Sequence, residues 1–421
     1  MKSRDQIVRV GGVGTGRIFE HAHIRAYPRL LHKARLVGFY DLNPARARQA
    51  MEKYAALLTE YGDQHPEAAE AAKANLAELR TCSTLEELLA HVDVVDVCTH
   101  ARGRMALAIA ALEKGVHAMV EKPMARTWIE ADRACRVAAA NPHVYLALND
   151  DNFYDPKYRI VHDLLLQGVI GKLQSMTLIR GSGLDATTVL KAQASPLDNG
   201  GGCLMDYGSH GLAGAWYVAG THMRPVKVEA ESISVLFPHR VLEGDPYYME
   251  VDDNARIKVL FEDPDTGSWV TVYLEATWCG GHIGLDKEKR GGQSDGHFYL
   301  RGAHGVINAT EKTAITVTRW DHGETVIPIR EFEGERVSVA HEIELMIDGI
   351  LDRRPPECDV NLGAEIIAIV QAAYLSALRR RAVTLDEFKD FARSYVTRLG
   401  DNERAEEALL TDLLEPYRRR Q

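Results

Sequence analysis

The sequence predicts an α/β protein of two domains: a doubly wound parallel sheet over residues 1–150, then an α/β domain with a mostly antiparallel sheet over residues 151–421. Three observations predict it. Short β-branched runs alternate with longer helical patterns through the first third of the chain. A glycine-rich turn follows the first of these runs and leads directly into a helical pattern. Beyond about residue 150 the texture changes to alternating apolar and polar runs, which suits strands with one covered face. A length of 421 residues exceeds what one ordinary core holds and agrees with the division.

In order, the first domain begins with "IVRV", followed by "ARLVGFYD", "VDVVDVCT", "GVHAMVEKP" and "VYLALND", each an apolar run flanked by helical segments. Apolar residues on both faces mark a parallel sheet built from βαβ units. Between the second and third strands, the Ala-, Glu- and Leu-rich stretch from Ala45 to Arg80 breaks near "YGDQHP" and predicts two helices where one would suffice. The second domain opens with the helix "PKYRIVHDLLLQGVIG" and the strand "LQSMTLIRG". A Gly-rich loop and another helix precede the strands "ARIKVLFE", "WVTVYLEATW", "HFYLRG", "GVINAT", "AITVTRW" and "TVIPIREF". Two apolar helical segments, "VAHEIELMIDGILDRRPPE" and "NLGAEIIAIVQAAYLSALRRRAV", and a further helical tail close the chain.

Composition narrows the partners. Apolar residues make up 46% and charged residues 26%, the balance of a globular protein. A net charge of −10 and a pI near 6.0, with Lys and Arg scattered, argue against nucleic acid as a partner. The six cysteines show no CxxC pair, which suits reduced thiols better than a disulfide framework or a zinc knuckle. The N-terminal stretch lacks a signal-peptide core, and no apolar run approaches about 18 residues. A cytoplasmic protein without membrane partners is expected.

The turn reads Gly14-Thr15-Gly16-Arg17-Ile18-Phe19. In a dinucleotide site the first glycine permits the tight turn and the second lets the backbone approach the pyrophosphate. Phe19 stands where a third small residue usually packs helix on sheet, a departure that puts that packing in doubt. The second strand ends at Asp41, where a carboxylate accepts hydrogen bonds from the adenosine ribose hydroxyls and repels a 2′-phosphate, so NAD is favoured over NADP. Asp41 could instead cap the helix beginning "NPARA", and Arg46 and Arg48 nearby leave NADP open.

Glu121, Lys122 and Pro123 fall at the end of "GVHAMVEKP", beyond the carboxyl end of a strand, where ligands of open α/β sheets bind. A lysine there can hydrogen-bond a substrate hydroxyl and stabilise developing alkoxide charge. Asp206 and His210, in "NGGGCLMDYGSHGLAG", lie four apart at the start of a helical segment and so share one face. Histidine exchanges a proton near neutral pH, and a carboxylate one turn away can orient it. An N-cap role for Asp206 and a core role for His210 are the alternatives.

Taken in this order, the glycine turn, "EKP", "GGG", the Asp-x-x-x-His pair, "VDDNARIKVLF" and "FYLRGAHGVI" resemble the Gfo/Idh/MocA family of glucose-fructose oxidoreductases and inositol dehydrogenases. The resemblance implies an N-terminal Rossmann domain and a C-terminal domain with a large open sheet. It implies NAD held by Gly14, Thr15, Gly16, Arg17, Ile18, Asp41, Thr99, Glu121, Lys122 and Asn149. His210 would be the base that takes a hydroxyl proton, with Lys122 and Asp206 positioning that hydroxyl on a sugar or cyclitol. It implies a homodimer or homotetramer, and no metal. Family members include NAD-dependent glycosidases that oxidise a ring carbon transiently, and a non-catalytic dinucleotide-binding regulator shares the fold; both are alternatives.

Two stretches depart from the family pattern. "THARGRMA" puts His100 in place of a proline and Arg104 near the place of a histidine, and "LNDDNFYDP" leaves Asn149, Asp150 or Asn152 as contacts. In the second domain, Lys191 in the loop 181–202 is a further substrate-side candidate. Trp278 before "CGGHIG" suits either a sugar face or a structural role. Cys279 and His282 lack the spacing of a metal site.

Overall fold

The computed structural model describes residues 7–181, 191–279, 294–311, 313–329 and 337–417. These fall into two compact units, each assembled from separate stretches of chain: Met1–Met124, Asp132–Tyr154 and Glu333–Gly363 in the first, the remainder in the second. The sequence reading divides the chain once, at residue 150. The structure instead returns helix Val337–Asp352 to the first unit, because Ile343, Met346, Ile347 and Ile350 belong to the same apolar core as Val8, Val10 and Phe39.

In the first unit six strands, β1 (Val8–Val13), β2 (Ala34–Tyr40), β3 (Arg80–Thr81), β4 (Val94–Val97), β5 (His117–Glu121) and β6 (Leu146–Asn149), form one parallel sheet. Their order, β3-β2-β1-β4-β5-β6, is that of a Rossmann sheet. The crossover from β2 to β3 contains the two expected helices, Pro44–Gln64 and Ala69–Leu76. Asn43 caps the first, accepting from the Ala45 N–H at 3.1 Å, and Pro44 supplies a fixed φ at its first turn. The second brings a buried Asn75, which accepts from the Tyr54 hydroxyl at 3.0 Å and donates to the Leu36 carbonyl at 2.8 Å. The added helix thus ties the crossover to β2.

His117 opens β5 and accepts from the Tyr145 N–H at 2.9 Å, which fixes a neutral ring. Burial pulls its pKa down to about 4. A histidine harder to protonate folded than unfolded stabilises fully above about pH 6.5 and loses that contribution as pH falls towards 4. The loss is worth about 2 kcal/mol once partial exposure is allowed for. Urea unfolding at pH 7 and pH 4.5 checks this: His117→Asn, which keeps an acceptor for Tyr145, should show a correspondingly smaller drop than the wild type.

The second unit is built on a nine-stranded sheet. Its strands are β7 (Leu173–Gly181), β8 (Arg224–Ser234), β11 (Asn254–Glu262), β12 (Trp269–Thr277), β13 (Ser294–Gly302), β14 (Gly305–Asn308), β15 (Ala314–Arg319), β16 (Gly323–Pro328) and β17 (Val383–Thr384). A separate ribbon pairs β9 (His239–Leu242) with β10 (Asp245–Tyr248). The large sheet runs β16-β15-β14-β13-β7-β12-β11-β8-β17, and only β7 and β12 pair in parallel. All six cysteines are free thiols, five of them buried. Helix Val360–Arg379, although its apolar run is broken by Asn361, Glu365 and Gln371, has the length and mean hydropathy to cross a membrane. Its apolar window is 83% buried inside the protein, which is the mark of a core helix.

Candidate functional site

Every residue expected to hold the dinucleotide follows, or ends, a strand of the parallel sheet at its carboxyl end. Gly14 succeeds β1, Asp41 succeeds β2, Thr99 lies two residues past β4, Glu121 ends β5 with Lys122 next, and Asn149 ends β6. Gly14 takes φ +76°, and a Cβ on it would lie 2.5 Å from Thr99 Cγ2, so glycine is required both for the turn and for the approach to β4. At Gly16 a Cβ would meet nothing within 4 Å, which leaves the backbone open on that side.

Phe19, the bulky residue in the place of a small one, is fully buried. Its ring occupies the space over Gly12, where a Cβ would come within 2.4 Å of Phe19 Cζ, and it packs edge-on against Phe39 at 6.2 Å. The missing side chain has moved from helix to strand, so close packing survives. The helix beyond is shorter than the sequence pattern suggests: Arg17–His21 is followed by two 3₁₀ turns, His23–Arg25 and Tyr27–Leu30.

Asp41 is half-buried and joins the two loops that flank it. One carboxylate oxygen accepts from the Thr15 N–H at 2.9 Å and from its hydroxyl at 3.3 Å; the other accepts from the Asn43 N–H at 2.8 Å. Asn43, not Asp41, caps the following helix. Arg17 is exposed, Ile18 half-buried, and Arg46 and Arg48 exposed.

Past β4 and β5 the polar groups divide into two sets. Arg104 is buried and spent on backbone: Nε donates to the Thr99 carbonyl at 3.1 Å, Nη1 to the Glu121 carbonyl at 2.5 Å and to that of Pro123, and Nη2 again to Thr99. It therefore staples the segments that carry Thr99 and Lys122, a role that its place in the sequence did not reveal. Lys122 is half-buried and precedes a cis Pro123. By contrast, Thr99 Oγ1 and Asn149 Nδ2 are buried and without a hydrogen-bond partner among the described residues. Buried polar atoms are rarely left so, and two of them at or just past the ends of β4 and β6, the strands that flank β5, are what a bound polar ligand would satisfy. Asp150 and Asn152 are buried, and Asp150 caps a short turn by accepting from the Asn152 N–H at 3.2 Å. His100 is exposed.

In the second unit, Asp206 and His210 are both buried. Asp206 lies in a π-helical turn, Leu204–Gly208, and His210 in the α-helix Ser209–Ala219 that continues it. The α-helical spacing expected of the pair therefore does not hold across its first turn, and such π turns gather at functional sites. Asp206 Oδ2 accepts from Trp278 Nε1 at 3.2 Å, so the fully buried Trp278 serves that carboxylate. Cys279 is buried, its thiol pushed up to about 12 by burial, and His282 lies outside the described residues, as does most of the loop before Lys191. Lys191 pairs with Asp245 at the surface.

The approach to the π turn is anchored by a buried Asp252 on the segment before β11. It accepts from the Gly202 N–H at 3.0 Å, the Leu204 N–H at 2.9 Å and the Tyr374 hydroxyl at 2.6 Å. This explains why "GGG" and "VDDNA" occur together: a Cβ on Gly202 would lie 1.8 Å from the Asp252 carbonyl oxygen. Gly202→Ala should cost on the order of 3 kcal/mol, read as a lowered thermal unfolding midpoint.

Residues 8–148 match the family model of an oxidoreductase family with an NAD-binding Rossmann fold, Gfo/Idh/MocA. Residues 8–148 belong to that family. The chain is 28% identical over 166 residues to inositol 2-dehydrogenase of Burkholderia cenocepacia, a match covering 39% of this chain and 43% of that one. It is 32% identical over 130 residues to D-glucoside 3-dehydrogenase of Escherichia coli, covering 30% and 36%. The chain thus spans less than half the length of the curated Gfo/Idh/MocA relatives it matches. Among solved structures, a levoglucosan dehydrogenase in complex with NADH and L-sorbose superposes with a TM-score of 0.70 at 19% identity, covering 91% of this chain and all of that one. An oxidoreductase domain protein from Kribbella flavida gives 0.71 at 19% identity, covering 90% and 99%. Over about nine-tenths of its length the chain shares the fold of these proteins.

Proposed function

We propose that the protein is an NAD-dependent dehydrogenase acting on a secondary hydroxyl of a sugar, sugar derivative or cyclitol. The observation that carries this reading is the pair of unsatisfied buried atoms, Thr99 Oγ1 and Asn149 Nδ2, on either side of Lys122 at the carboxyl edge of the Gfo/Idh/MocA sheet. These atoms, the open backbone at Gly16 and the carboxylate of Asp41 fit the amide, pyrophosphate and ribose groups of a dinucleotide. Asp41 favours NAD, since its negative charge opposes a 2′-phosphate.

When bound, NAD supplies the hydride acceptor. His210 takes the hydroxyl proton as the carbinol C–H bond breaks, so proton and hydride leave the same carbon–oxygen unit and a ketone remains. Lys122 donates to the substrate oxygen and stabilises the alkoxide charge that develops there. Asp206, whose Oδ2 accepts from Trp278, orients that hydroxyl or the imidazole.

Incubating the protein with NAD and a panel of sugars, cyclitols and glycosides tests the reading, with reduced cofactor and organic products followed together. Reduced cofactor rising in step with a keto product supports a dehydrogenase. Hydrolysed glycoside without net reduced cofactor would replace it with a redox-cycling glycosidase, and cofactor binding without any turnover would replace it with a regulator.

A further inference from the structure

We infer that His23 is a positioning residue for Lys122: seated between two carboxylates, it holds the Glu121 side chain on the Lys122 backbone N–H. The kinetic consequence rests on the dehydrogenase reading, whereas the geometry does not.

The argument starts from Asp96, a carboxylate inside the apolar run of β4 and wholly shielded from water. A carboxylate so placed must be met by donors. It accepts from His23 Nδ1 at 2.9 Å, the Tyr27 hydroxyl at 2.7 Å and the Cys98 thiol at 3.4 Å. The other ring nitrogen, His23 Nε2, faces Glu121 Oε1 at 2.8 Å. A ring with a carboxylate oxygen at each nitrogen donates from both, so it is an imidazolium. Burial alone would strip that proton, but Asp96, with Cys98, outweighs it and holds the His23 pKa well above the ordinary value.

One further group closes the cluster. Glu342, from helix Val337–Asp352, is buried with Oε2 unpartnered among the described residues, and burial pushes its carboxyl well above the usual range. The groups around the ring are then Asp96, Cys98, Tyr27, Glu121 and Glu342.

Glu121 passes this order on to the lysine. Its Oε2 accepts from the Lys122 N–H at 3.0 Å while its own carbonyl accepts from Arg104. The peptide that carries Lys122 is thus gripped on both sides: by the His23 relay through the Glu121 carboxylate, and by the Arg104 guanidinium. A small displacement of a reacting group is enough to cost a large factor in rate.

The test uses the full-length protein labelled with [15N]lysine, without substrate or nucleotide, the Lys122 resonance being identified by its loss in Lys122→Ala. In the wild type the Lys122 amide proton should resonate far downfield and exchange slowly. In His23→Phe it should move upfield and exchange at least about tenfold faster, with NAD affinity unchanged and kcat lowered about tenfold to a hundredfold. Glu121→Gln should keep the Lys122 amide slow to exchange, with its resonance less far downfield because a neutral amide oxygen accepts more weakly than a carboxylate. Its amide can donate to a neutral His23 while its oxygen accepts from Lys122. An unmoved Lys122 signal in His23→Phe overturns the inference. Should His23→Phe fail to fold, the imidazole 15N spectrum of the wild type decides: two protonated ring nitrogens at pH 8 support the relay, and one overturns it. A shifted Lys122 signal in a protein that turns over no polyol would leave the positioning intact and reject the dehydrogenase reading alone.

Discussion

Lys122→Ala and His210→Ala should each lower turnover by about a hundredfold to ten-thousandfold while the NAD dissociation constant stays within about threefold. The size follows from what each group is asked to do. A hydroxyl is far too weak an acid to lose its proton unaided near neutral pH, and His210 is the group in the Asp-x-x-x-His pair with a pKa suited to accept it. The alkoxide character that grows as the C–H bond breaks needs a fixed cation, which Lys122 provides from its gripped peptide. NAD affinity, by contrast, draws mainly on the glycine turn, Asp41, Thr99, Glu121 and Asn149, so that losing Lys122 removes one NAD contact of many and losing His210 removes none. Steady-state kinetics with calorimetric NAD titration separates the two effects. Wild-type turnover in either variant contradicts the assignment.

The second large effect concerns cofactor choice. Asp41→Ser should reduce the preference for NAD over NADP by about a hundredfold, combining weaker NAD binding with relief of repulsion against the 2′-phosphate. Serine keeps one acceptor for the Thr15 or Asn43 N–H and leaves the glycine turn supported, so a loss through local unfolding is avoided. The measurement is the ratio of dissociation constants for the two dinucleotides in wild type and variant. An unchanged ratio would mean that Asp41 serves only to tie Thr15 to Asn43.

Five strands of the parallel sheet were legible because they are largely buried and read as continuous apolar runs, whereas the short, polar and partly exposed β3 leaves no such run; the glycine turn was legible because φ +76° at Gly14 suits one residue type. Asp41 and Lys122 were legible by their places just past strands. What escaped detection depends on contacts distant in sequence. Phe19 fits only because Gly12, on the neighbouring strand, has no side chain. Trp278 lies 72 residues from the Asp206 that its indole serves. The π turn at Leu204–Gly208 leaves no periodic trace over five residues. Helix Val337–Asp352 shows an apolar face that does not say which core it joins.

One signal was present and went unread. Asp96 interrupts the buried run "VDVVDVCT", and a carboxylate in a strand buried on both faces demands a partner. "HAHIRAY", with His23 and Tyr27 one helical turn apart, offers the donors. Their pairing could have been sought from the sequence, although the link onward to Glu121 could not.

The central claim is that this chain moves a hydride from a polyol carbon to NAD. Its most direct measurement is incubation with NAD and sugars or cyclitols deuterated at their carbinol carbons, followed by mass analysis of the nicotinamide. The account predicts reduced cofactor carrying one deuterium, formed together with a keto product. Deuterium retained in the product or released to water, with NAD bound but never reduced, would contradict it.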